Sequence, residues 1–232
     1  MQNAVKRLIA KPNKGSQKDK VRQLVIDTAT EALSVALFEG GGLLASHHEI
    51  AGRGHAEKLL PIIAAMDGGG RADELIVDSG PGSFTGVRVG LAAARALAYG
   101  WKARLRAYAS LSLVAAIARS APHPQDDGAA LAIVMTGGHG ECFWQMFDRA
   151  TLTPQGAVTS TPIAALAAEL DAPFLYGTGA AAVIEARGHG EAIPLHPDAR
   201  ALPSLPEALI GTDSTPLYGR GADAVPLAMR KD

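Results

Sequence analysis

The segment DSGPGSFTGVRVG, residues 78–90, sets Gly80, Gly82 and Gly86 among Ser83, Thr85 and Arg88, ahead of a long apolar run. Glycine admits positive φ and close backbone approach. The first N–H groups of a helix, helped by its dipole, favour an anion. The segment can therefore cradle a phosphate, with the two hydroxyls as further ligands. It lacks both the Gly-Lys-Ser/Thr of a Walker loop and the spacing of a dinucleotide fingerprint. A tight strand-to-helix turn, whose glycines solve a packing problem, accounts for the same residues equally well. Asp27 and Thr28 close an earlier apolar run and can face this loop with a nucleotide and Mg²⁺ between. That defines one function class, an ATP-binding phosphotransferase or ATPase. Arg88 falls in the first helical turn, where a cation is disfavoured by about 0.3–1 kcal/mol. A bound anion, a carboxylate such as Asp78, or solvent would offset this.

Other catalytic signals are faint. No His-Glu-x-x-His, Gly-x-Ser-x-Gly or Cys–His signature occurs, and the seven histidines, His47, His48, His55, His123, His139, His189 and His196, form no ligand pair on one helix. No metal site is expected. Cys142, the single cysteine, lies between Glu141 and Phe143 in an alternating run and reads as a core or sheet residue.

The elements that would position these residues follow from apolar spacing. Strands VRQLVID (21–27), ALSVALF (32–38) and LLASHHEI (43–50) form an antiparallel meander. HAEKLLPIIAAM (55–66) has helical spacing, weakened at Pro61. ELIVD (74–78) is a buried strand, 86–100 a long helix, LRAYA (105–109) a strand and SLSLVAAIARSA (110–121) a helix capped by Ser110. PHPQDDG (122–128) marks a lobe boundary. The second half repeats this order more faintly: hairpin 130–136 with 141–148, a helix over 161–170 with Thr161 as cap and Pro162 first, the strand-turn PFLYGTG, and a helix near 179–186. The expected division is a basic, disordered extension (1–21), an N-terminal lobe (22–121) and a smaller C-terminal lobe (122–232).

Helices 55–66 and 86–100 carry more apolar residues than one sheet face covers. A partner protein seated on His55, Leu59, Ile62, Ile63 and Met66 of the first and on Leu91, Arg95 and Ala98 of the second would cover the surplus. The competing cover is the second lobe.

Composition sets the outer bounds. A chain of 232 residues, 47% hydrophobic and 19% charged, suits a globular protein with a sizeable core. No run is apolar enough for a membrane span, no secretory leader is recognisable, and a lone cysteine fits a reducing cytosol. Residues 1–22 hold seven basic side chains against one acidic, leaving fifteen against twenty-two elsewhere. A body of net charge −7 is a poor direct grip on a nucleic-acid backbone.

LVIDTATEALSVAL (24–37), GRGHAEKLLP (52–61), GPGSFTGVRVGLAAARALA (80–98) and GECFW (140–144) together resemble the TsaB family, also called YeaZ. These are glycoprotease-like bacterial proteins needed to make N6-threonylcarbamoyladenosine in tRNA. The likeness runs over residues 22–147, with YGTGA (176–180) and TPLYGRGA (215–222) as later echoes. It implies a two-lobed α/β fold of the acetate-kinase/Hsp70/actin, ribonuclease H-like type, with mixed sheets flanked by helices. It further implies a non-catalytic partner of TsaD, the subunit that modifies adenosine 37, paired through the helices after the first sheet. The ATPase TsaE would join that assembly, the chain alone would form a homodimer, and tRNA would be met only through the complex, in the cytoplasm and away from membrane. ATP or ADP with Mg²⁺ would be at most a residual, weak ligand. The His-x-x-x-His metal pair of TsaD-like subunits has no counterpart here. Thr136 and Gly138 stand where the family carries an Asp and a basic residue, so a charge-based role at that hairpin is not implied.

Overall fold

Two-residue periodicity sends the side chains of the first strand to opposite faces, and both faces are buried. Leu24 and Ile26 enter one apolar cluster, while Val25 between them enters another. The structure, a computed structural model, describes residues 20–52, 54–120, 128 and 130–218. Most of the expected basic extension and of the 122–128 boundary lie outside the described residues.

Strands β1 (Arg22–Asp27), β2 (Ala32–Glu39) and β3 (Gly42–Ile50) form the antiparallel meander, and β4 (Glu74–Asp78) and β5 (Arg104–Tyr108) join parallel to β1. The order is β3-β2-β1-β4-β5. Helix α1 (His55–Ala64) links β3 to β4, α2 (Phe84–Trp101) links β4 to β5, and α3 (Ser110–Ser120) follows β5. The second half comprises β6 (Ala130–Thr136), β7 (Glu141–Asp148), β8 (Pro154–Pro162), α4 (Ile163–Glu169), β9 (Phe174–Tyr176), α5 (Ala180–Arg187) and β10 (Glu191–Ile193). Its sheet runs β10-β9-β6-β7-β8, with β6-β7-β8 antiparallel and β9 and β10 parallel to β6. The wiring of the two sheets is the same. The chain is therefore two-lobed and α/β, with two mixed sheets flanked by helices, as the family resemblance implied.

Some expected boundaries move for local reasons. Helix α2 begins two residues early because the Ser83 hydroxyl accepts the Gly86 N–H at 3.3 Å and serves as N-cap. The helix expected over 161–170 starts at Ile163, because Thr161 and Pro162 complete β8. Pro154, Gly156 and Pro162 disguise β8 as loop in the sequence; it is an edge strand, where missing ladder donors are tolerated.

Three apolar layers hold these elements. On the outer face of the first sheet, Leu59, Ile63 and Met66 of α1 and its end, with Val87, Leu91, Ala94 and Ala98 of α2, pack against Leu24, Ile26, Leu33 and Val35. This corrects the expected partner surface. Leu59, Ile63 and Leu91 are 1–2% exposed and Met66 and Ala98 are buried, so they belong to the lobe's own core. His55 is buried as well, with Nε2 3.3 Å from the Ala32 carbonyl oxygen. Ile62 is half-buried and Arg95 exposed. Residues of the second sheet are absent from this cluster, so that lobe is not its cover.

The middle layer is α3, in which every residue from Ser110 to Ala118 is buried. It sits in one continuous cluster with Val25, Phe38 and Ile76 of the first sheet and Leu131, Ile133, Phe143 and Phe147 of the second. After β10 the chain returns into this layer as short 3₁₀ turns, Ala199–Ser204 and Glu207–Leu209, that bring Ala199, Leu202 and Leu205 into the same cluster. The lobes thus share a core rather than a hinge. Leu113→Ala should cost about 3 kcal/mol. Single-tryptophan variants retaining Trp101 or Trp144 report one lobe each, and their urea midpoints should fall together. Midpoints that separate would show the lobes to be independent.

Candidate functional site

Three parallel strands end side by side. Asp27 closes β1, Asp78 closes β4, and Tyr108 closes β5 in register with Asp78. Crevices beyond the carboxyl ends of such strands are where α/β sheets gather their sites. Here the space is filled. The Tyr108 hydroxyl donates to Asp27 Oδ2 at 2.8 Å, and the Ala29 N–H reaches Oδ1 at 3.3 Å. Asp78 accepts from the Ser110 hydroxyl at 2.7–2.8 Å and from the Gly80 N–H at 2.7 Å, and it is hydrogen-bonded to Asp27. Asp27 is 0% exposed and Asp78 2%.

Burial of two adjacent carboxyls favours sharing protons over two charges. Desolvation, opposed by the hydrogen bonds from Asp78, Tyr108 and Ala29 and assisted by the charge of Asp198, pushes Asp27 up to about 6. Desolvation and then the charge of Asp27 hold Asp78 well above the usual carboxylate range. Asp198 comes from the middle layer, where Arg200 grips it at 2.5–3.0 Å and the Ser34 hydroxyl lies 3.5 Å away. The sequence reading missed Asp78, Tyr108, Ser110 and Asp198 as one network. Its only signal was an acid at the end of two separate apolar strands, and their adjacency depends on strand order.

The glycine segment lies against the Asp27–Ala29 turn, backbone on backbone. A Cβ on Gly82 would stand 2.1 Å from the Ala29 carbonyl oxygen, and one on Gly86 2.1 Å from that of Thr28. Part of the expected phosphate cradle is turned inward. The Ser83 N–H goes to Ala29 O at 2.7 Å, the Val87 N–H to Ser83 O, and the Thr28 hydroxyl to Gly86 O at 2.7 Å. Thr85 is exposed. Arg88 does not reach Asp78; its guanidinium lies 3.5 Å from the Phe84 ring centroid, and its Nε donates to the Tyr218 hydroxyl at 3.1 Å. The second lobe repeats the packing. Its glycine turn after β9 sets Gly177 where a Cβ would be 2.3 Å from Val134 O, and Thr178 accepts the Thr136 N–H at 2.9 Å. The same solution in both lobes identifies close packing on the first strand of each sheet as what these glycines do. For a nucleotide to meet Asp27, the buried layer would have to open.

Cys142 sits in β7, 1% exposed, and burial raises its thiol pKa. Among the described residues, no group of three or more His, Cys, Asp or Glu is placed to hold a metal ion. No described helix is long and apolar enough to cross a membrane.

Two tests follow. Asp27 and Asp78 bind protons more tightly folded than unfolded, so stability is greatest below the unfolded carboxyl pKa and declines as pH rises through about 6. Denaturant midpoints should fall as pH rises from about 4 to 8, and Asp27→Asn should remove up to ~3 kcal/mol of that dependence; an unchanged slope would show that the pair holds no extra proton. Gly86→Ala should destabilise the chain by about 3 kcal/mol or more through overpacking, to the same extent with and without added nucleotide in thermal melts.

Residues 44–161, half of the chain, match the family model described as TsaD, tRNA N6-adenosine threonylcarbamoyltransferase. The tRNA threonylcarbamoyladenosine biosynthesis protein TsaB of Escherichia coli (strain K12) is 46% identical over 85 residues, covering 34% of this chain and 36% of that protein. The match thus spans about a third of that relative's length. An uncharacterized protein of Mycobacterium tuberculosis (strain ATCC 25618 / H37Rv) is 32% identical over 221 residues, 89% of this chain and 95% of that one. The solved structure of YeaZ from Pseudomonas aeruginosa superposes with a TM-score of 0.69 at 27% identity, covering 85% and 99% of the two chains. With its doubled strand order, its packed glycine turn and these relatives, the chain belongs to the TsaB (YeaZ) family.

Proposed function

We propose that this chain is a non-catalytic subunit in the synthesis of N6-threonylcarbamoyladenosine in tRNA, and that it works by docking a TsaD-type transferase on the outer face of α1 and α2. The observation that carries the reading is the state of the strand-end site. Its carboxyls are buried, and the Gly80, Ser83 and Gly86 N–H groups of its loop are bonded within the chain. What the first lobe turns to solvent is a helix pair bearing exposed Leu60 at 51% and half-buried Ile62, Val89, Ala93 and Leu97. Such a face suits protein contact rather than turnover. The names of the relatives supply the pathway; docking on α1 and α2 is the role proposed for this chain within it. TsaE would enter the same assembly, tRNA would be reached through the transferase, and the free chain would pair with a second copy through this face. The alternative, an ATP-using phosphotransferase, requires the buried layer to open around Asp27.

Because Leu59 and Leu91 are core residues, the docking test uses outer positions. Leu60→Glu with Ala96→Arg should leave the melting temperature within a few degrees and abolish co-purification with the transferase. tRNA modification reconstituted from purified components should fall to the level seen without this chain. An intact complex would sink the proposed interface. ATP turnover by the isolated chain, lost in Asp27→Asn, would favour the phosphotransferase.

A further inference from the structure

After the last 3₁₀ turn the chain leaves the middle layer and crosses to the outside of the first lobe. Gly211 forms a two-bond bridge with Ala107 of β5, both N···O distances 2.9 Å. Residues 212–218 beyond it form no strand or helix, yet three points of α2 and its loop hold them. Arg95 donates to the Ser214 carbonyl at 2.8 Å, the Leu217 N–H donates to Ser79 O at 2.8 Å, and Tyr218 meets Arg88 and Phe84, the two rings 5.3 Å apart. The Leu217 carbonyl oxygen lies over Gly80, where a Cβ would be 2.7 Å away.

The residues under and beside this strap make one stripe. At about 100° per residue, Phe84, Arg88, Arg95 and Tyr99 fall on the same side of α2. Arginine and aromatic side chains are the types that dominate protein-interface energetics. The cover is incomplete: Phe84 remains 55% exposed, Tyr99 90%, Leu217 43% and Tyr218 37%. The anchors are also the weaker kind. Arg88 and Arg95 rest on a phenol, a carbonyl and a serine hydroxyl. All are neutral acceptors, whereas a carboxylate in their place would add an opposite charge and accept the guanidinium's two parallel N–H groups.

We propose that residues 211–218 are a latch over a second part of the docking surface, the Phe84–Arg88–Arg95–Tyr99 stripe, and that the partner displaces the latch by presenting acidic side chains to the two arginines and apolar ones to the rings. This rests on the docking face proposed for α1 and α2 and widens it along one edge of α2. A latch that must open before docking lowers apparent affinity by the fraction of molecules already open. Held at a few exposed points, the segment belongs to the part of the molecule that opens locally.

The test uses full-length point variants. Tyr218→Ala removes one ring and the acceptor of Arg88. It should speed amide exchange at Leu217 and bind the purified transferase about five-fold or more tightly than the native chain. Arg95→Ala loosens the same segment but removes a contact to the partner, and should bind more weakly despite the looser latch. Tighter binding by both variants would keep a latch but remove the acidic partner surface and so overturn the proposal. Unchanged Leu217 exchange in Tyr218→Ala, or faster exchange with equal or weaker binding, would overturn it too. Failure of the underlying docking face looks different. Leu60→Glu would then bind like the native chain, whereas a failed latch leaves Leu60→Glu defective and Tyr218→Ala no tighter.

Discussion

The contact on which the first lobe is built is one backbone lying against another. The carbonyl oxygens of Thr28 and Ala29 occupy the space that side chains at Gly86 and Gly82 would fill. Only residues without a Cβ allow this approach, and it fixes three things together. It lays the start of α2 on the end of β1, it brings the β4 end close to Asp27, and it turns the Ser83 N–H and the Thr28 hydroxyl onto backbone carbonyls. The second lobe makes the same contact with Gly177 against Val134. A motif that looks like a ligand cradle is, in both halves, the joint between first strand and later helix.

That joint has an electrostatic consequence. It buries Asp27 beside Asp78, where two charges would cost far more than one shared proton. Tyr108, Ser110 and the Gly80 N–H satisfy the remaining lone pairs. A network with every member bonded specifies the arrangement of three strand ends and the start of α3, at some cost in stability at neutral pH. The acidic pair at the mouth of a parallel sheet therefore ties the three strand ends together in this conformation.

The division of labour between faces follows. The inner face of the first sheet is consumed by α3 and the returning 3₁₀ turns, which fuse both lobes into one core. The outer face carries α1 and α2, whose inward stripes are consumed by the sheet. What remains for the proposed docking is the solvent side of that helix pair and the edge the last described residues cross. The apolar area left there is smaller than the apolar content of the two helices suggests.

Much was legible from the chain alone. Apolar alternation placed nearly every strand of the first lobe, and the glycine segment with its flanking runs identified the family, because such local patterns need no knowledge of what lies across the sheet. Edge strand β8 was hidden, since Pro154 and Gly156 read as turn wherever the strand's neighbours are unknown. The sequence could not rank Leu59 and Leu91 as core against Leu60 as surface, because an all-round apolar helix gives period without orientation. Nor could it join Asp27 to Asp78, fifty-one positions apart, or bring Tyr218 to Arg88. Local spacing determined which elements form and what kind of protein this is. Strand order and packing decided which side chains meet, because contacts between distant residues exist only once the layers close.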